Sequence, residues 1–159
     1  MTNKSLIEKF YSAFQAKDFK TMQACYDDKA TFNDPVFTNL NAAQVRAMWE
    51  MFCIRGKDMI IQFRNIAATD TGGTATWIAQ YTFSATGRKV VNVIQAEFEI
   101  HNGKIVTHTD RFSFYKWARQ ALGIKGFLLG STHFLQSKVQ KTAMHNLERF
   151  IESRNKKTE

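Results

Sequence analysis

The sequence predicts an α+β fold in which helices gather on one face of a curved, mainly antiparallel sheet. Three observations point that way. Apolar residues recur at helical spacing up to Arg55, the period changes to two after Lys57, and Gly-containing turns cut the later part into a meander of strands. At 159 residues the chain is of single-domain length, with neither repeats nor linker-like tracts.

The segment Ser5–Tyr26 reads as helix, with Leu6, Ile7, Phe10, Phe14, Phe19, Met22 and Tyr26 on its apolar side. Ser5 and Glu8 suggest a capping box. The run Ala16-Lys17-Asp18-Phe19 predicts a break, with Asp18 capping a second helix. Ala30–Asn33 is a short strand ended by Asp34-Pro35, since proline lacks the N–H that a ladder needs. Ala42–Arg55 is a third helix, with Val45, Met48, Trp49 and Phe52 on one face and Gly56 at its end. Strands follow at Met59–Ala67, Thr74–Ser84, Lys89–Ile100 and Ile105–Phe114.

Helical character returns at Trp117–Leu122. Gly123, Gly126 and Gly130 then punctuate an apolar stretch before a long helix over about Thr132–Ser153. That helix repeats Leu135, Val139, Ala143, Leu147 and Ile151, and its other face holds Lys138, Lys141, Arg149 and Arg154. The formal net charge is +8, and residues 117–159 carry +5 of it. The chain therefore divides into a nearly balanced domain, residues 1–116, and a basic amphipathic helical extension of the same domain, residues 117–159. Packing against the domain or a partner subunit is the expected use of that helix. Contact with an anionic membrane surface is the second reading. Nucleic acid is not expected as a partner, because the aromatics do not interleave with the basic residues.

Cys25 and Cys53 are too few for a disulfide scaffold, and MTNKSLIEKF has no apolar core for a secretory leader, so a cytoplasmic protein is expected. No His, Cys or Asp cluster has metal-ligand spacing, and no Gly-rich phosphate cradle is present, so neither metal nor cofactor is expected.

The stretches Phe10-Tyr11-Ser12-Ala13-Phe14, Lys17-Asp18-Phe19 and Tyr26-Asp27-Asp28-Lys29-Ala30-Thr31-Phe32-Asn33-Asp34-Pro35-Val36 resemble the nuclear transport factor 2-like superfamily. Within it they are most similar to the small-molecule branch of SnoaL-like polyketide cyclases, steroid isomerases and limonene epoxide hydrolase. Gly87-Arg88-Lys89-Val90-Val91 and Asn102-Gly103-Lys104-Ile105-Val106 fit the same pattern, so the resemblance spans residues 5–115. It implies a cone-shaped barrel whose sheet wraps around the N-terminal helices and leaves a deep, largely apolar cavity, often in a homodimer. In that frame Phe10, Phe14, Tyr26, Trp49, Trp77, Tyr81, Phe83, Asn92, Ile94 and Phe112 line a pocket for a small-molecule ligand.

By that resemblance Asp34 matches the position of the catalytic base in the steroid isomerases, whose Asp-Pro it shares. A carboxylate at a strand end that faces an apolar cavity loses hydration and becomes more basic. Capping of the turn after Pro35 is the simpler role for the same residue. Steroid isomerases hold their enolate with a Tyr and a protonated Asp. The matching positions here are Phe10 and Ala96, which donate no hydrogen bond, and Tyr11 is expected to point elsewhere, so that activity is not expected. His108 and Asp110, two apart on the last strand, share a face with Asp34. A carboxylate beside His108 fixes its tautomer and favours a general acid, as in the polyketide cyclases. The same pair also suits a purely structural polar network. The expected function is cofactor-independent acid–base chemistry, an isomerase, cyclase or hydratase, with Asp34, His108 and Asp110 as catalytic residues. The alternative is a non-catalytic ligand-binding or protein-interaction domain, like the superfamily's transport member.

Overall fold

The computed structural model describes residues 1–158. Thr2 caps α1 (Asn3–Gln15) by accepting the Ser5 N–H at 3.1 Å, so the helix starts earlier than the expected Ser5 cap. Glu8 closes no capping box and pairs on the surface with Lys4 instead. Asp18 caps α2 (Phe19–Ala24) as its position predicts. Between these helices Lys17 takes a positive φ of 56°, unusual for a non-glycine residue. Its ammonium donates to the Gly56 and Lys57 carbonyls at 2.6 and 2.7 Å, just beyond α3 (Ala42–Arg55), where a cation complements the helix dipole. Asn41 and Gln44 form the capping box that starts α3.

The strands are β1 (Tyr26–Asn33), β2 (Leu40–Asn41), β3 (Ile60–Ala68), β4 (Gly72–Phe83), β5 (Arg88–His101) and β6 (Lys104–Arg111). They form one sheet ordered β2-β1-β6-β5-β4-β3. The meander β3 to β6 is antiparallel, as expected. The short first strand is longer than Ala30–Asn33 and joins the sheet parallel to β6. Its register sets Phe32 opposite His108. Along β5 burial alternates: Ile94, Ala96, Phe98 and Ile100 point inward while Val93, Gln95, Glu97 and Glu99 stand exposed. A bulge near Asn65, at φ 54°, interrupts the ladder of β3 and bends the sheet toward the helices.

Helices α1 and α3 lie in the hollow of this curved sheet. α1 is buried over a wide arc, from Leu6 and Ile7 through Phe10, Tyr11, Ala13 and Phe14. Trp49 of α3 meets Phe10, Phe14, Phe32, Phe52 and Trp77 edge-on at ring separations of 5.1 to 6.1 Å. Removing such a buried ring typically costs about 3–5 kcal/mol.

The chain then covers the sheet's open end with α4 (Phe114–Leu122), α5 (Ile124–Leu129) and α6 (His133–Lys156). The last strand stops at Arg111, so Phe112 and Phe114, expected within it, lie beyond it and at the start of α4. Where β6 ends, the Gln120 amide bonds both backbone groups of Val91 and takes over the exposed edge of β5. α6 packs on α3, with Arg55 over the Phe150 ring and Arg154 bonded to Glu50. Arg154 thus leaves the expected solvent face, because the buried Glu50 carboxylate needs a cation. No helix among the described residues is long and apolar enough to cross a membrane.

Gly126 fixes how α5 crosses α4. A Cβ there would sit 1.8 Å from the Ala118 carbonyl oxygen. Gly126→Ala should therefore cost about 1–3 kcal/mol. Thermal unfolding should fall by several degrees, with amide exchange of α4 rising before that of the strands.

Candidate functional site

His108 stands on β6 where β1 and β5 flank it, and it is fully buried among Phe10, Phe32, Trp49 and Phe98. A polar ring in that setting must have both nitrogens bonded. Nδ1 lies 2.6 Å from the Tyr26 hydroxyl and Nε2 lies 2.9 Å from Asp110 Oδ1. Trp49 Nε1–H donates to the Tyr26 oxygen at 2.9 Å, and Trp77 Nε1–H donates to Asp110 Oδ1 at 3.3 Å. Counting donors assigns one direction to this row. Trp49 donates to Tyr26, Tyr26 donates to His108 Nδ1, and His108 Nε2–H donates to an ionised Asp110. The imidazole is then neutral, and its ring carries no spare proton for a substrate.

Asp34 follows β1 in the turn that Pro35 begins. Its Oδ1 accepts the Val36 and Phe37 N–H groups, both at 2.6 Å. That is the turn-capping role expected of it, yet it uses one oxygen only. Oδ2 takes no bond from the described residues. Although the residue as a whole is only partly covered, its carboxyl is closely surrounded by protein. Burial pushes its pKa up to about 7, and the nearby Asp110 charge adds to that against the pull of the two N–H bonds. Burial likewise raises the Tyr81 phenol, with a smaller push from Asp34. Tyr81 accepts the Trp117 Nε1–H at 2.8 Å, which leaves its own O–H free to donate.

Asp34 thus feels the charge of Asp110, and Tyr81 feels that of Asp34, while His108 is bonded to Asp110. The expected pocket residues divide into two groups. Phe10, Phe14, Tyr26, Trp49, Trp77 and Ile94 face inward but pack on one another, with Phe14 and Trp77 rings 5.6 Å apart. In this conformation aromatic rings occupy the space that the resemblance assigned to a cavity. Tyr81, Phe83, Asn92 and Phe112 are half-buried at the mouth. There Phe83 lies 5.3 Å from the Trp117 ring of α4. Gln136 and Gln140 of α6 both donate to the Pro35 carbonyl, at 3.1 and 3.0 Å, so the extension lies across the Asp34 turn. A shallow hollow on the surface is lined by Val91, Asn92, Val93, Ser113, Lys116 and Gln120, and of the expected pocket residues it includes Asn92 alone.

The sequence reading missed two features. Tyr11 does not point elsewhere: it is fully buried, and its hydroxyl has no partner. Burial raises its phenol far above the ordinary value, with the Asp110 charge next in size. Its neighbour Phe10 on the same helix obscured it, because α1 is buried on more than one stripe. The Gln136 and Gln140 contacts with Pro35 were readable only as a helical i, i+4 pair, with nothing to name their target. Among the described residues, no three His, Cys, Asp or Glu side chains converge as a metal would require.

The SnoaL-like domain profile matches residues 7–108. Among solved structures, the chain is similar to a candidate polyketide cyclase from Pseudomonas putida KT2440. That match has 24% identity and a TM-score of 0.64 over 76% of this chain and 98% of that one. IdmH, a candidate polyketide cyclase from Streptomyces antibioticus, matches at 19% identity and a TM-score of 0.65, over 78% and 100% of the two chains. An LEH-like epoxide hydrolase from M. tuberculosis matches at 18% identity and a TM-score of 0.58, over 82% and 92%. At these identities the likeness concerns the fold. A search of curated proteins finds no match.

A carboxyl with a pKa near 7 makes a stability prediction. Its folded value lies above the unfolded 3.8, so the native state holds a proton that the unfolded state releases between pH 3.8 and about 7. Stability therefore falls as pH rises through that window and levels off above it. Asp34→Asn should remove this fall, worth about 4 kcal/mol at most over the whole window and about 3 kcal/mol between pH 4.5 and 8. Urea unfolding of both proteins at pH 4.5 and 8 checks the sign. Carbon-13 NMR of the Asp34 carboxyl should titrate near 7.

Proposed function

The chain belongs to the SnoaL-like domain family, and from that premise we propose that it is a small-molecule protein working by cofactor-independent acid–base catalysis at the mouth of its cone. One observation carries the reading: the Asp34 carboxyl keeps Oδ2 unengaged and has a pKa of about 7. A base of that strength is half ionised at neutral pH and takes a proton from carbon next to a carbonyl more readily than an ordinary carboxylate does.

The chemistry needs three groups. Asp34 Oδ2 removes the α-proton. Tyr81 donates its O–H to the oxygen on which the enolate charge develops, a role that Phe10 and Ala96 leave vacant. Asp110, held by His108 and Trp77, keeps a negative charge near Asp34 and so favours the protonated acid that returns the proton. His108 and Tyr26 hold Asp110 in place from behind and transfer no proton. A largely apolar carbonyl compound is the class of substrate that such a surround favours.

Access requires the extension to move. At the Asp34 turn and Tyr81 the contacts to break are those of Gln136, Gln140 and Trp117, backed by an apolar cluster of Val90, Phe114, Trp117, Ala118, Ala121 and Leu135. Covers of this kind open and close in many enzymes. The second reading is a non-catalytic interaction domain, favoured by the packed aromatic interior. Pairing of two copies across the outer sheet face belongs to either reading. Ile60, Val91 and Val93 are exposed there in adjoining cross-strand rows.

Deuterium exchange into 2-tetralone, an apolar ketone with acidic α-protons, tests the proposal. The intact chain should accelerate exchange, with a rate that rises through pH 7. Asp34→Asn should lose about 100-fold or more, and Tyr81→Phe about tenfold. Exchange no faster than with free carboxylate at equal concentration supports the non-catalytic reading instead.

A further inference from the structure

The 37 residues between Asp110 and Glu148 contain Arg111, Lys116, Arg119, Lys125, Lys138 and Lys141 and no carboxylate. In the same stretch α5 and the start of α6 expose Ile124 (78%), Phe127 (57%), Leu128 (66%) and Phe134 (71%). Such a concentration of large apolar side chains on a surface needs an explanation, where isolated ones do not. The patch is firmly mounted. Gly126 is buried and pressed against α4, which turns the remainder of α5 outward. The Arg119 guanidinium lies 5.4 Å from the Phe127 ring and 5.5 Å from the Tyr115 ring, so a cation stands beside the apolar tip. Phe134, Lys138 and Lys141 recur on one face of α6.

We infer that α5 and the first turns of α6 dock on an anionic lipid surface, with Ile124, Phe127, Leu128 and Phe134 entering the interface and the surrounding cations meeting the headgroups. Charge chooses among occupants. A second copy would set the same six cations against themselves, without a carboxylate in the stretch to offset them. Nucleic acid would use the cations but gain nothing from Ile124 and Leu128. A lipid interface uses both halves: apolar side chains enter the acyl boundary while Lys and Arg remain at headgroup level. Beyond its first turns the long helix, the sequence's own candidate for membrane contact, is not an inserting element. Its apolar side, with Leu147 and Phe150, is buried against the domain.

Co-sedimentation of the full chain with vesicles tests the inference. Equimolar phosphatidylcholine and phosphatidylglycerol should bind it at least about tenfold better than phosphatidylcholine alone, and salt should weaken that binding. The double variant Ile124→Asp and Leu128→Asp, which alters exposed side chains only, should lower partitioning about tenfold or more. Lys125→Glu with Lys138→Glu should abolish the preference for anionic vesicles. Circular dichroism checks that each variant folds. The inference fails if the intact chain stays in the supernatant at low salt. It also fails if the aspartate variant sediments like the parent, or if the patch instead drives self-association that the aspartate variant removes.

Discussion

A carboxylate and an imidazole buried in an aromatic core impose the constraint on which this structure depends. Neither Asp110 nor His108 has solvent to satisfy it, so the protein supplies every partner. It draws them from four elements: Trp49 from α3, Tyr26 from β1, Trp77 from β4 and the pair itself from β6. The parallel pairing of β1 with β6, unusual in an otherwise antiparallel sheet, brings Tyr26 and His108 into one row. Each ring that donates a hydrogen bond also fills core volume. The helix α3 is therefore tied to the sheet by packing and by direction-specific bonds at once, which narrows the ways in which the core can settle.

The same row shapes the chemistry at the mouth. Burial makes a charge on Asp34 costly, and the nearby charge of Asp110 adds a smaller amount to that cost. Tyr11 is the exception to complete satisfaction, with an unpartnered hydroxyl deep in the core. A buried donor left unmade typically costs about 1–3 kcal/mol. Its closest electrostatic neighbours are Asp110 and Tyr26, so the polar interior has one more donor than its bonded chain uses. The C-terminal segment completes the arrangement from outside. α4 and α6 close the mouth with Trp117, Gln136 and Gln140, while α5 faces away with an apolar, cationic surface. One part of the extension lies across the Asp34 turn and another stands exposed.

Much of this was legible in the sequence because periodicity reports faces. The two-residue step from Asn92 to Ile94 assigned the inner side of β5, and the apolar spacing of Val45, Met48, Trp49 and Phe52 assigned α3. Asp34 was identifiable because its Asp-Pro step resembles that of the steroid isomerases, and His108 and Asp110 because a two-residue step keeps one face. Periodicity says nothing about volume, however. A row of aromatics facing inward reads the same whether it lines a hollow or fills one, and here Phe14, Trp49 and Trp77 meet. Nor does it reveal a short strand's partner, as with β1 against β6. Tyr11 was misjudged for a related reason: a helix between sheet and a second helix buries a wide arc, not one stripe. The helix α5 escaped notice because Gly123, Gly126 and Gly130 read as breaks, whereas Gly126 is there to admit the α4 backbone.

The central claim is that the Asp34 carboxyl faces a ligand site that the C-terminal segment covers. A crystal structure with 2-tetralone bound tests it most directly. The account predicts the ketone at the mouth, its α-carbon about 3.5 Å from Asp34 Oδ2 and its oxygen at Tyr81, with the Gln136 and Gln140 bonds to Pro35 broken. A ketone bound elsewhere, with those two bonds intact and the aromatic interior unchanged, would contradict it.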